Sequence, residues 1–154
     1  MDLPPLTPEF RDLLSLLNER GIKYLVIGGY AVGFHGRPRY TKDIDIWIAS
    51  DRANAERIAQ AVDDYFGATR PVERFMSRDF ILRIGAPPQM VEIMTTIAGV
   101  EFETCYARRE SVQVQGVEVP IIGLRDLRTN KLAAGRSSDL GDVDNLPDPD
   151  AHAS

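Results

Sequence analysis

The stretch Gly28 to Trp47, GGYAVGFHGRPRYTKDIDIW, decides how the rest of the chain is read. It is preceded by Tyr24, Leu25, Val26 and Ile27, a short apolar run that reads as a buried strand over about 23–27. Gly28 and Gly29 follow, then a short helix over about 29–35, a basic non-helical segment, and a second strand over about 43–49. Side chains two apart on a strand point to one face. Asp43, Asp45 and Trp47 therefore share a face, and Ile44, Ile46 and Ile48 share the other. Two carboxylates about 7 Å apart along a strand repel each other, and a divalent cation between them turns that repulsion into a binding site. Oxygen-only ligands suit Mg²⁺.

An isolated Asp-Ile-Asp is more often an ordinary half-buried strand, isoleucines inward and carboxylates in water. The glycines change that balance. A Gly-Gly turn lets the backbone approach a ligand closely, and the start of the following helix offers unpaired N–H groups to phosphate. Together they describe a site for a nucleoside triphosphate (NTP) and its metal. Gly28 and Gly29 would cradle phosphate, while Asp43 and Asp45 would hold Mg²⁺. Arg37, Arg39 and Lys42, beside the aspartates, supply local positive charge for phosphate contact.

Gly28-Gly29, thirteen residues, then Asp43-Ile44-Asp45 resembles the signature of the DNA polymerase beta-like nucleotidyltransferases. The likeness is to their small stand-alone members, including those of abortive-infection toxin–antitoxin systems. Gly29 stands where many members carry a serine. Downstream, Leu124-Arg125-Asp126-Leu127, Lys131, Ala134-Gly135-Arg136 and Asp139-Leu140 resemble the helix and turn that follow the catalytic sheet, so the likeness covers about residues 20–146. The resemblance implies transfer of a nucleoside monophosphate from an NTP to an acceptor hydroxyl, with two Mg²⁺ ions and release of pyrophosphate. It also implies a third carboxylate on a strand beside the Asp-x-Asp strand. Glu92 matches that role as catalytic and metal-binding residue, one methylene longer than the common aspartate.

Glu92 stands out on physical grounds too. It is centred in Met90-Val91-Glu92-Ile93-Met94, a fourth strand over about 90–95, and a carboxylate there is costly to bury without a partner. Asp79, at the start of a third strand over 79–84, is the other candidate. Lys131 falls inside the apolar stripe of a helix from Leu124 to Ala134. It either snorkels to the surface or points inward to neutralise triphosphate. His35, alone at the end of its short helix, reads as structural, and the single cysteine, Cys105, as a packing residue.

The rest of the chain frames the site. Thr7-Pro8-Glu9 is a helix start, with Phe10, Leu13, Leu14 and Leu17 as its buried stripe and Gly21 near its end. Ser50-Asp51 caps a helix over about 51–66. An arginine-rich loop follows over 67–77, then a hairpin of the third and fourth strands is expected. A short helix lies within 99–109. Residues 112–122 form a hairpin turning at Gly116, with Pro120 suggesting an edge position. The expected fold is α/β in the loose, α+β sense: a mixed, mostly antiparallel sheet of about five strands with helices packed on it, the nucleotidyltransferase fold.

At 154 residues the chain reads as one domain over 1–146, followed by a Pro/Asp-rich tail over 147–154 that reads as disordered. The net charge of −5 is uneven. Residues 139–154 hold five aspartates and no Lys or Arg; without them the 23 acidic residues fall to 18, matched by 18 basic ones. A neutral body disfavours a long nucleic acid as acceptor. A tRNA end, a protein hydroxyl and a small antibiotic all remain open. One cysteine and no apolar run near 18 residues make the cytoplasm the default and argue against membrane partners. A partner protein or a homo-oligomer is left open. A second reading keeps the fold without catalysis, as a nucleotide-binding partner or antitoxin.

Overall fold

The computed structural model describes residues 6–37 and 41–150. Helix α1 (Pro8–Glu19) starts where Thr7 accepts the Phe10 N–H at 3.2 Å and proline takes the first helical position. Its stripe of Phe10, Leu13, Leu14 and Leu17 is buried. Strand β1 (Tyr24–Ile27) is buried at every position, which fits a central strand. Helix α2 (Gly28–His35) begins directly on the glycine pair. Strand β2 (Ile44–Ile48) puts Ile44, Ile46 and Ile48 into the core on one face. Trp47 is buried on the other, its Nε1–H donating to Thr95 O at 3.2 Å.

Helix α3 (Arg52–Phe66) is capped by Asp51, which accepts the Asn54 N–H at 3.2 Å, and it ends at Gly67 with φ +67°. Asn54 is buried and spans three backbone groups, donating to Lys23 O and Ala49 O and accepting from Lys23 N–H. It fastens α3 to the ends of β1 and β2. Within the arginine-rich segment a 3-10 turn (Val72–Met76) inserts Phe75 into the core. Strands β3 (Ile81–Ala86) and β4 (Gln89–Met94) form the expected hairpin. After α4 (Phe102–Ala107), strands β5 (Glu110–Val114) and β6 (Val117–Ile121) turn through Gln115 and Gly116, both at positive φ, as a two-residue hairpin loop favours. Helices α5 (Leu124–Ala134) and α6 (Ser137–Asp144) close the chain, separated by Gly135 at φ +68°.

Among the described residues the sheet has six strands in the order β3-β4-β2-β1-β6-β5. β1–β2, β3–β4 and β5–β6 are antiparallel, whereas β1–β6 and β2–β4 are parallel. The expected mixed sheet is therefore present with one strand more than anticipated, because both arms of the β5–β6 hairpin join it. Pro120 is not on an edge strand, since β6 lies between β1 and β5. Ile122, two residues on, donates its N–H to Val26 O, so the missing proline N–H falls on the β1 side, where pairing is limited to Val26 with Ile121. Proline is tolerated because the ladder there is short. Glu92 is likewise not on an edge: β4 lies between β3 and β2.

Candidate active site

The parallel register of β2 with β4 sets Asp45 directly beside Glu92, and the antiparallel register of β3 with β4 sets Arg83 beside Glu92. On the other side Ile27, the last residue before the glycine pair, faces Asp45. One row across the sheet thus reads Ile27, Asp45, Glu92, Arg83. Lateral neighbours share a face, so the Asp45 and Glu92 carboxylates lie on the face that also carries Asp43.

Asp45 is the most perturbed member. Its Oδ1 is buried with no hydrogen-bond donor among the described residues. Burial is the main cause that pushes its carboxyl up from 3.8 to about 7, with contributions from the adjoining Glu92 and then Asp43, opposed by Lys131. Gly28 makes room for it. With φ at +66°, a Cβ built on Gly28 would stand 2.0 Å from Asp45 Oδ2. The space a side chain would fill is occupied by the carboxylate itself. Gly29 is the second residue of α2, whose N-terminus receives no side-chain cap. Backbone N–H groups at such a start are suited to anions.

Asp43 precedes β2 and accepts the Met90 N–H at 3.2 Å, which ties it to β4. The Arg83 guanidinium reaches both neighbouring carboxylates: Nε lies 3.4 Å from Glu92 Oε1 and Nη2 lies 4.0 Å from Asp43 Oδ2. Among the described residues no three His, Cys, Asp or Glu side chains are gathered as a ready metal site. Two of the three carboxylates here face a guanidinium in place of a shared centre. The donor set nonetheless suits a hard cation: three carboxylates, one with an orphaned buried oxygen, in a cradle left open by glycine. Asp79 does not join them. Its N–H donates to Thr96 Oγ1, four residues beyond Glu92 along the chain and at the other end of β4.

Lys131 does not snorkel. It is 8% exposed, with Nζ 3.3 Å from Asp139 Oδ1 and 3.1 Å from Asp142 Oδ2, so it points inward and locks α6 onto α5. Arg136 forms two hydrogen bonds to Asp139 through its side chain and so, with Lys131, holds that carboxyl below its usual range against the opposing effect of burial. Glu92 in turn acts on Arg136, and Lys131 on Asp45, so this charged helix pair borders the carboxylate row. Lys42 is exposed next to Asp43, and Arg39 lies outside the described residues. His35 is structural: its Nε2 contacts Ile122 O at 2.6 Å, and burial lowers its pKa. Cys105 is fully buried, its thiol pushed up to about 12 by burial and then by Asp126.

Two features escaped the sequence reading, Arg83 and the Arg136–Asp139 pair. A cavity of about 760 Å³ also opens beyond Trp47, lined by Arg78, Arg108, Arg125 and Asp126 among others. None of Asp43, Asp45 or Glu92 lines it, and its one buried carboxylate, Asp126, is neutralised by two hydrogen bonds from Arg108.

Residues 7–148 match a family described as "Nucleotidyl transferase of unknown function (DUF2204)". The chain belongs to this family. It is a nucleotidyltransferase, as the resemblance to the DNA polymerase beta-like enzymes implies. No curated protein matches the sequence. Among solved structures, a Thermotoga maritima protein assigned as a nucleotidyltransferase (TM1012) superposes with a TM-score of 0.60 at 18% identity, covering 90% of this chain and 92% of that one. The lincosamide antibiotic adenylyltransferase LnuA, solved with lincomycin, gives 0.54 at 16% identity over 93% and 97%. The antibiotic-resistance factor ANT(2'')-Ia gives 0.59 at 12% identity over 88% and 79%. At these identities the likeness is one of fold. No helix among the described residues is long and apolar enough to cross a membrane.

Proposed function

We propose that this nucleotidyltransferase moves a nucleoside monophosphate from an NTP to an acceptor hydroxyl, releasing pyrophosphate, with Asp43, Asp45 and Glu92 as ligands for divalent magnesium. The observation that carries the reading is Asp45: a carboxylate with a buried, donorless oxygen, set beside a second carboxylate, in space that Gly28 leaves open. Such an arrangement is costly for stability alone, and a cation relieves it. Bound there, magnesium would neutralise the triphosphate and acidify the acceptor hydroxyl.

The chain's own residues supply the rest. The Gly28-Gly29 start of α2 presents backbone N–H groups to phosphate oxygens. Lys42 and Arg39 add charge from the basic segment between α2 and β2. Lys131 contributes through the buried field it exerts on Asp45. Glu92 would accept the acceptor's proton as the oxygen bonds to the α-phosphorus and the bond to pyrophosphate breaks. Positioning and charge neutralisation suffice, with no covalent intermediate on the protein.

The acceptor belongs to one of three classes: an RNA end, a protein hydroxyl, or a small molecule of the kind named for the fold neighbour LnuA. A protein acceptor, or a cognate partner in a toxin–antitoxin pair, would fit the near-neutral body better than a long nucleic acid. The test is incubation of the protein with labelled NTPs, Mg²⁺ and a cell extract, beside the variant carrying Asp43→Asn and Asp45→Asn. The wild type is expected to label an acceptor whose sensitivity to nuclease or protease gives its class, and the double variant to label nothing. Equal labelling by the double variant overturns the assignment.

A further inference from the structure

The guanidinium of Arg83 stands where a cation is expected. It comes from β3, the edge strand, and its side chain remains 58% exposed. It reaches across to Glu92 on the adjacent strand and on to Asp43 at the start of β2. It therefore reaches two of the three carboxylates of the site. Glu92 and Asp43 side chains are 28% and 43% exposed, while the buried Asp45 Oδ1 has no donor among the described residues. A guanidinium is a permanent, weakly hydrated charge with several donors, so it can bridge carboxylates that would otherwise repel.

We infer that Arg83 is a built-in counter-cation of the carboxylate site, which a divalent ion must displace in order to bind Asp43 and Glu92 together with Asp45. This rests on the metal-binding reading above and adds a competitor to it. Two positive charges cannot share the same carboxylate oxygens at contact distance without strong repulsion. Metal loading and release of Arg83 are then a single event. The exposed edge position of β3 lets the side chain swing into solvent without disturbing the core. The protein thereby keeps its carboxylates apart without a metal, at the cost of a weaker metal affinity than the bare carboxylates would have.

The test reads metal binding directly, without the reaction. Mn²⁺, a spectroscopic stand-in for Mg²⁺, is titrated into the wild type, Arg83→Met, Arg83→Lys and the Asp43→Asn plus Asp45→Asn variant, following the free aqua ion by electron paramagnetic resonance. Arg83→Met is expected to bind about three- to tenfold more tightly than the wild type, the scale of one or two partly exposed ion pairs. The gain should shrink as ionic strength rises. Arg83→Lys should fall between the two, since it keeps the charge but not the fork. Unchanged or weaker binding in Arg83→Met overturns the inference while leaving the metal site standing, provided that the wild type binds and the double aspartate variant does not. No binding in any of the four proteins overturns both the inference and the metal reading beneath it.

Discussion

Replacing Gly28 with alanine tests the carboxylate cradle with one methyl group. Gly28 has φ +66°, and a Cβ there would meet Asp45 Oδ2 at 2.0 Å, Cγ at 2.9 Å and Cβ at 3.1 Å. Two costs add. A left-handed backbone with a side chain costs about 1–2 kcal/mol. Moving a carboxylate that is packed between β1 and β4 is an overpacking cost of about 1–3 kcal/mol. Gly28→Ala should therefore lose about 2–5 kcal/mol, or a fall in Tm of several degrees for each kcal/mol lost at this chain length. The assay is denaturant unfolding in chelator, so that metal does not enter.

A second variant separates the two costs. Asp45→Ala removes the two atoms that a Gly28 Cβ would meet under 3 Å, and it should be neutral or stabilising above pH 7, because a repelling charge goes with them. In a cycle with Gly28→Ala, the double variant should regain the overpacking part and keep the backbone part. A Gly28→Ala protein as stable as the wild type would refute the reasoning. So would additive losses, since they would mean that Gly28 and Asp45 do not compete for one space.

Two further perturbations follow from the same charges. Burial pushes the Asp45 carboxyl up to about 7 in the folded protein against 3.8 when solvent-exposed in the unfolded chain, so the folded state holds a proton that the unfolded state releases. The metal-free protein should be most stable below about pH 4 as far as this group is concerned, and should lose on the order of 4 kcal/mol as pH rises through 7, with the slope abolished in Asp45→Asn; denaturant midpoints across pH 4–8 measure it. Lys131→Met should destabilise by about 3 kcal/mol, because Asp142 and Asp139 lose a buried cation, and thermal unfolding with little change would show that α6 is held by other contacts.

The central sheet was legible because its signals are local. The four buried residues of β1, the alternation of β2 and the glycine pair each state a geometry within a few positions. The Thr7 and Asp51 caps, and the turns at Gly67, Gly116 and Gly135, are equally local. What was not legible depends on pairing across the chain. Asn54 reads as an ordinary helix residue until β1 and β2 bring Lys23 and Ala49 to it. Helix α6 carries Gly141 and several aspartates, a composition that favours turns, and its contacts with Lys131 compensate. Arg83 is the instructive case. A hairpin centred on Pro87-Pro88 pairs positions equidistant from that turn, and Arg83 and Glu92 are equidistant from it. The turn was recognised, but its register was not carried through to the carboxylate.

Charge pairing in the site carries the functional argument one step further. From the helical side the charge of Lys131 acts on Asp45, and a sequence shaped for stability alone would aim that lysine at Asp45. It is instead committed to Asp139 and Asp142, with Arg136 committed to Asp139 as well. On the opposite side Arg83 reaches Glu92 and Asp43, and the buried Asp45 Oδ1 has no donor among the described residues. Among the described residues no cation pairs with that oxygen, and Gly28 leaves room for the other oxygen of the same carboxylate. Unlike charges a few ångströms apart in a half-buried site are worth several kcal/mol, so leaving this one unpaired is a real cost to the fold. A site that holds its negative potential unspent in this way is suited to a ligand cation, the role the proposed nucleotidyl transfer requires.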